Sequence, residues 1–271
     1  LEGFFQVDRD LALMSGDVNQ YRLDESSLFM EAMNQTLQTY MLYGNASTLP
    51  ESFTGFAPRY NSVSGNIGQQ VVDAGGTGSD NTSIWLIGWG PSVFAMYPKN
   101  SMGGLHHEDV TVNRTALAGN PNAMTGDVLA DANGKLFMGY RDHFKWECGL
   151  TVRDWRYAVR ICNIAVTTLS GGSPPNLINL LIRALYRIPT TAAGIGSTVS
   201  SSDAPSIQGG NGSRIVIYCN RVIRTYLDIQ ATNKTNVLLQ MNQFDGKMVT
   251  TFRGVPIKTC DAILNTEARV V

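Results

Sequence analysis

Early in the chain, apolar residues recur at three-to-four spacing. Leu28, Met33, Leu37 and Met41 follow Asp24, a good helix N-cap, and the run stops at Gly44. This spacing predicts a helix over 24–43, about five turns and roughly 30 Å long. Its opposite face carries Glu31, Asn34, Gln35 and Gln38, which are polar but almost uncharged. A face turned to solvent would more usually carry Lys and Glu, so Glu31, Gln35 and Gln38 become candidates for contact with a neighbour. An ordinary amphipathic helix would give the same pattern.

A different period governs the middle of the chain. Tyr140, Phe144, Trp146, Cys148, Leu150 and Val152 alternate with Arg141, His143, Lys145, Glu147, Thr151 and Arg153; Asp142 and Gly149 are the exceptions. Beyond Asp154 the phase flips, and Trp155, Tyr157, Val159 and Ile161 alternate with Arg156, Ala158 and Arg160. A bulge or a turn has that effect. Each piece is longer than a typical strand. Long strands with one charged and one apolar face suit an extended arm better than an enzyme core. The charged face offers His143, Lys145, Glu147, Arg153 and Arg156 as further contact residues.

Shorter signals fill the remainder. Ile84–Trp89 and Val93–Tyr97 read as strands joined around Gly90-Pro91, and 73–81 is a glycine-rich turn. That turn lacks the Lys-Ser/Thr of a phosphate loop, and a strand rather than a helix follows it. Residues 176–188 read as a helix ending at Pro189, and 190–213 as a long Ser/Gly/Thr/Ala-rich loop. Then come a buried-type strand over 214–219, Asn220 as an N-cap, a helix over 221–230, and strand-like 237–240, 248–253 and 254–257. There is no internal repeat.

Composition narrows the function. The 271 residues hold 21 Lys and Arg against 22 Asp and Glu, a net charge of −1, and only 16% are charged. A hydrophobic fraction of 43% excludes a disordered, solvating chain. The near-neutral balance leaves no basic footprint for nucleic acid or a membrane surface. Low charge suits a surface largely covered by copies of itself. The most apolar stretch, 84–97, is broken by Gly88, Gly90 and Pro91 and is too short to span a bilayer. The start at Leu1, with no initiator Met and no signal sequence, is expected to lie part-way into a longer gene product. Cys148, Cys162, Cys219 and Cys260 have no metal-site spacing and read as buried thiols. The N-x-[ST] triplets carry little weight without a secretion signal, and a reducing cytoplasm is the default at synthesis.

Candidate chemistry is sparse. His106-His107-Glu108-Asp109 is the one run resembling metal ligands, but neighbours on an extended chain point to opposite faces, so a polar loop is the favoured reading. His143, beside Asp142, is expected to face solvent or another subunit. There is no G-x-S-x-G elbow and no signature of a nucleophilic Cys. Glu25, Glu31, Glu51 and Glu147 are the carboxylates a glycosidase pair would have to use. Nothing demands a cofactor.

Several segments together resemble a family of bacteriophage major capsid proteins. They are Leu23 through Thr36 with Tyr43-Gly44-Asn45, Phe53 through Asn61, Asp73 through Trp89, Trp146 through Tyr157, Tyr218-Cys219-Asn220-Arg221, and Gly254-Val255-Pro256-Ile257 through Asp261. The resemblance implies an α+β fold of the Hong Kong 97-type phage capsid class, with a long spine helix, a long-stranded peripheral domain and an axial domain. On that mapping 1–23 is a connecting segment after an N-terminal arm and extended loop that lie upstream. Residues 24–174 form the peripheral domain with its spine helix at 24–43. Residues 175–271 form the axial domain, with the 190–213 loop near the capsomer axis. The G-V-P-I element ends this chain where many relatives continue, so segment order is open to permutation.

The resemblance further implies a virion protein assembled in the host cytoplasm, whose main partner is itself in pentamers and hexamers. Scaffold, cement or decoration, and portal proteins are further partners, packaged DNA is contacted only non-specifically, and no membrane is involved. No catalytic, cofactor or metal residue is expected. The competing reading is a β-rich glycan-binding or glycan-hydrolysing phage or cell-surface protein.

Overall fold

A computed structural model describes residues 1–99, 103–111, 127–130, 133–171, 174–189, 213–232, 239–244 and 247–271. In chain order the elements begin β1 (Glu2–Asp8), α1 (Arg9–Met14), α2 (Val18–Tyr43), α3 (Phe56–Arg59), α4 (Gly65–Gly68), β2 (Val71–Asp73) and β3 (Asn81–Trp89). They continue with β4 (Val93–Met96), β5 (Leu105–Asp109), β6 (Asp127–Ala130), β7 (Leu136–Trp146), β8 (Gly149–Val152) and β9 (Ala158–Ala165). Last come α5 (Val166–Leu169), α6 (Leu177–Leu185), β10 (Arg214–Cys219), α7 (Arg221–Thr232), β11 (Leu239–Phe244), β12 (Lys247–Phe252) and β13 (Val255–Thr259). The chain divides into two compact units, Leu1–Gln38 with Met96–Gly149, and Thr39–Ala95 with Leu150–Val271. Both are discontinuous, whereas the division read from sequence cut the chain at 23 and at 174 into continuous segments.

In the first unit, β7 is the central strand of an antiparallel sheet. It pairs with β1 from Glu2↔Lys145 to Asp8↔Gly139, with β5 on its other side, and with β6 near its start. The segment 1–23 is therefore not a connector: it supplies a full strand, a short helix and the first turns of α2. The long helix starts at Val18 rather than after Asp24. Asp17 is the cap, its Oδ1 accepting the N–H groups of Asn19 and Gln20 at 3.0 and 3.1 Å, and Gly16, at φ 87°, separates it from α1. Sequence spacing missed those first turns because Asp24, inside the helix, is as good a cap as Asp17.

The period-two stretch also divides. Tyr140 and Phe144 are buried as the alternation requires, but the strand ends at Trp146 and β8 begins at Gly149. Asp142, the exception to the alternation, is buried among the apolar positions, paired with Arg22 of α2 at 2.6 Å.

The second unit is built on a seven-stranded sheet of order β11-β12-β13-β10-β3-β9-β2. Most neighbours are antiparallel, but β10–β13 and β2–β9 run parallel. The phase flip after Asp154 is a 3-10 turn over Trp155–Tyr157, capped by Asp154. The expected alternation beyond it does not hold. Every residue of β9 is buried, because that strand is interior to the sheet and covered on both faces. The Leu/Ile-dense helix α6 supplies Leu177, Leu181, Ala184 and Leu185 to a large core that includes Phe56, Tyr60, Trp85, Ile161, Ile217 and Leu227. Strands β4 and β8 pair as a ribbon. Of strand-like 237–240, Leu239 and Gln240 begin β11 and 237–238 lie outside the described residues, as does all of the 190–213 loop but Ser213.

The C-terminal tail is tied back onto this sheet. Asn163, held at φ 56°, donates through Nδ2 to the Val270 carbonyl at 2.9 Å and accepts the Val270 N–H at Oδ1 at 2.8 Å. Asn tolerates that left-handed conformation better than other non-glycine residues.

Candidate functional site

The chemically dense places are two buried charge clusters, one in each unit. In the first, α2 lies over the β5 and β7 strands and aims Arg22 at two carboxylates. Its Nη1 donates to Asp109 at 2.9 Å, Nη2 and Nε donate to Asp142 at 2.6 and 3.2 Å, and the guanidinium covers the Tyr140 ring at 5.0 Å. His107 places Nε2 at 2.9 Å from Asp142 and stacks its ring on Phe144. These groups line a cavity of about 400 Å³ that also touches Leu23, Met30 and Leu105. Burial acts to raise the Asp109 pKa, but the Arg22 and Thr111 hydrogen bonds and the Arg22 charge outweigh it and hold the carboxyl at about 2. A strong, already satisfied anion of this kind is an acceptor, not a general acid.

In the second unit Arg160 and Glu267 form a pair at 3.0 Å, both side chains 5% exposed. Arg160 Nε donates to Ser83 Oγ at 3.1 Å, Nη1 donates to the Tyr60 carbonyl at 2.9 Å, and the guanidinium lies over Trp85. The Tyr43 and Ser83 hydroxyls each donate to Glu267. Burial, then the Glu267 charge, push the Tyr43 hydroxyl far above its ordinary range, so it remains a donor. The Arg160, Glu267, Ser83 and Tyr43 side chains thus satisfy one another, as a buried charge network requires.

The four thiols are free; Cys162 and Cys219 are buried, and Cys148 and Cys260 only half so. Burial pushes Cys162 up to about 11 and Cys219 up to about 12, which removes nucleophilic thiolate at neutral pH.

The residues singled out from sequence are distributed differently from one surface. Glu31 and Gln35 share a face of α2, with Gln35 Nε2 donating to Glu31 at 3.1 Å, and Gln38 lies one turn on, half-buried. His143 and Lys145 lie on the central strand β7, and Glu147 follows just past its end. His143 does not stand free: its Nε2 is 2.8 Å from Glu2 of β1 and its ring stacks on Phe4. Lys145 pairs with Glu147 at 2.8 Å. Arg153 and Arg156 fall in the second unit, Arg153 over the Phe94 ring and Arg156 in a fork on Asp154. His106 and His107, adjacent on β5, point apart as extended neighbours do, and only His107 reaches Asp142.

Sequence reasoning missed both buried clusters. The signal for the first was Asp142 on an apolar face; for the second it was Arg160 between Val159 and Ile161.

Exposed apolar side chains mark the first unit. Leu11, Leu13 and Met14 of α1 and Leu23 and Leu28 of α2 are all more than half exposed, while the buried cluster there is Val7, Ala12 and Tyr140. No described helix is long and apolar enough to cross a membrane.

The model of the family described as "Major capsid protein GP7" matches residues 1–271. A chain of the near-atomic-resolution cryo-electron microscopy structure of bacteriophage epsilon15 is similar, with 35% sequence identity and a TM-score of 0.60. The match covers 100% of this chain and 73% of that one. No curated protein sequence matches.

Proposed function

This chain belongs to the GP7 major capsid protein family, a structural protein of the virion shell with the Hong Kong 97-type fold, and from that premise we propose how it is built to assemble. The first unit, with the long helix and the sheet of β1, β5, β6 and β7, acts as the peripheral domain, and the second as the axial domain. Rings of five and six form from heterologous contacts, in which different patches of one copy meet the next. Scaffold and portal proteins act on these rings in the host cytoplasm, and packaged DNA touches the shell without sequence recognition.

The observation that carries this reading, beyond the family match, is the imbalance in the first unit. Five large apolar side chains on α1 and α2 are more than half exposed, while the described buried apolar residues of that unit are Val7, Ala12, Met33, Leu37, Leu129, Tyr140 and Phe144. Exposed apolar surface on that scale marks a protein–protein contact, and a shell of identical copies supplies its cover.

The test is electron microscopy and sedimentation of the full-length gene product. Closed uniform particles, or rings of five and six, are expected. A protein that stays a monodisperse monomer even when co-expressed with its phage's other assembly proteins would refute the proposal.

A further inference from the structure

Near-neutrality conceals a separation of charge. The first unit carries seven Lys and Arg against thirteen Asp and Glu, a formal charge of −6; the second carries fourteen against nine, a charge of +5. A chain with a net charge of −1 is therefore strongly polarised between its two units.

The excess on each side is unpaired at identifiable places. Exposed Asp17, Asp24 and Glu31 recur every seven residues at the start and along the outside of α2, each roughly 10 Å from the next at 1.5 Å per residue. Glu25 and the exposed Leu28 lie among them. The only basic residue of α2 is Arg22, and both of its anions are within its own unit. Among the described residues no cation pairs with Asp24, Glu25 or Glu31; Asp24 and Glu31 accept only from the amides of Gln20 and Gln35.

In the second unit, Arg183 is exposed in the last turn of α6, Arg187 lies half-buried two residues past its end with Nη1 donating to the Val71 carbonyl at 2.7 Å, and Arg253 Nη1 donates to the Tyr186 hydroxyl at 3.2 Å. No described carboxylate pairs with these three arginines; the carboxylates that do pair in this unit go to Arg156, Arg160, Arg221 and Arg224. Burial, and then the nearby Arg183 charge, lower the Arg187 pKa, in keeping with crowded like charges.

Building on the capsid function, we infer that the acidic stripe of α2 in one copy docks on the Arg183 and Arg253 surface of the second unit of a neighbouring copy, with the Arg187 charge behind it. Two different patches of opposite sign make a head-to-tail contact, the kind that closes rings. Like patches repel, so the same charges reject head-to-head encounters. The near-equal and opposite charges of the units favour a second copy over DNA, because the chain carries the complement of its own cationic surface. Leu28, exposed within the stripe, adds apolar area to the contact.

Assembly of nuclease-treated, DNA-free full-length protein, followed by light scattering from about 50 to about 500 mM NaCl, tests this, since screening shortens from roughly 14 to 4 Å over that range. The assembly threshold of the wild type is expected to rise at least about tenfold. The variants D24N/E25Q/E31Q and R183Q/R253N are each expected to raise the low-salt threshold about tenfold and to flatten the salt response. Asp24, Glu25, Glu31 and Arg183 are exposed and Arg253 is half-buried, where Asn suits its positive φ, so unchanged circular dichroism of the free subunit separates assembly from folding. Combining D24K/E31K with R183E/R253E is expected to recover assembly that either pair alone loses. Wild-type thresholds and salt response in the helix variant would overturn the inference while leaving the capsid function intact. Normal DNA-free assembly of R183Q/R253N with impaired DNA retention would also overturn it, assigning the arginines to DNA. Absence of particles under every condition would overturn the capsid proposal with it.

Discussion

Glu267→Ala removes the anion at the centre of the second unit. The carboxylate holds Arg160 at 3.0 Å and accepts from Tyr43 and Ser83, and its residue is bridged to the sheet by the Glu267 N–H donating to the Asn81 carbonyl at 2.8 Å. Truncation leaves the guanidinium of Arg160 95% covered with only Ser83, the Tyr60 carbonyl and the Trp85 face for company. Breaking a buried pair by removing one partner costs about 3–5 kcal/mol, because the remaining charge is uncompensated. Since total stabilities run to about 5–15 kcal/mol, that is a large share. For a chain of this length it corresponds to a fall in Tm of roughly 10 °C.

Thermal unfolding of the unassembled subunit, read by tryptophan fluorescence, measures this directly because Trp85 lies under Arg160. The paired replacement Arg160→Leu with Glu267→Leu separates two explanations. If the cost is an orphaned charge, the double variant recovers most of the loss, since apolar residues often replace a buried pair without penalty. A Tm change under about 3 °C in Glu267→Ala, or a double variant no more stable than the single, would refute the reasoning.

Three further expectations follow from the same geometry. Asp109, held at about 2 against an ordinary 3.8, stabilises the folded first unit above pH 4, and that contribution disappears as pH falls from about 4 through about 2; Arg22→Leu, which removes the cation shared by Asp109 and Asp142, should move acid unfolding followed by circular dichroism to higher pH. Gly55→Ala should destabilise the second unit by about 1–3 kcal/mol in urea unfolding, because its Cβ would lie 2.6 Å from the Tyr40 carbonyl and 2.7 Å from that of Met41, neither of which is a flexible side chain. Cys162 and Cys219 should react with a thiol reagent only at the unfolding rate, whereas rapid labelling of all four cysteines in the native subunit would contradict their burial.

The elements whose periodicity is enforced by a one-sided core were legible in the sequence. Residues 214–219 became β10 with the expected bounds, Asn220 accepts the Val222 N–H, and α6 begins after Asn176, whose Oδ1 accepts the Asn179 N–H. Legibility failed where burial is two-sided or where two caps compete. Strand β9 has no polar face, so its arginine looked like an alternation rather than a buried ion. The helix start was misplaced because Asp17 and Asp24 are equal as local signals, and only β1, arriving from positions 2–8 to pair with β7, turns 1–23 into part of a unit. The candidate contact residues were chosen by face, and faces are local; which carboxylate a given cation reaches is not. His143 meets Glu2 across 141 positions, and Arg160 meets Glu267 across 107.

The separation of charge shows the same limit from the other side. Its ingredients are all in the sequence, but a window along the chain mixes them, because 39–95 interrupts the acidic unit and 96–149 interrupts the basic one. The net charge of −1 then hides two large opposite values. A subunit that must remain soluble until it meets a copy has a physical reason for this arrangement. Each unit repels its own kind, so only the head-to-tail encounter is favourable. The exposed leucines of α1 and α2 make no such distinction, since apolar contact is non-directional. On this argument hydrophobic area supplies the strength of the shell contact, and the charges on α2 and α6 decide which face of the next copy it is spent on.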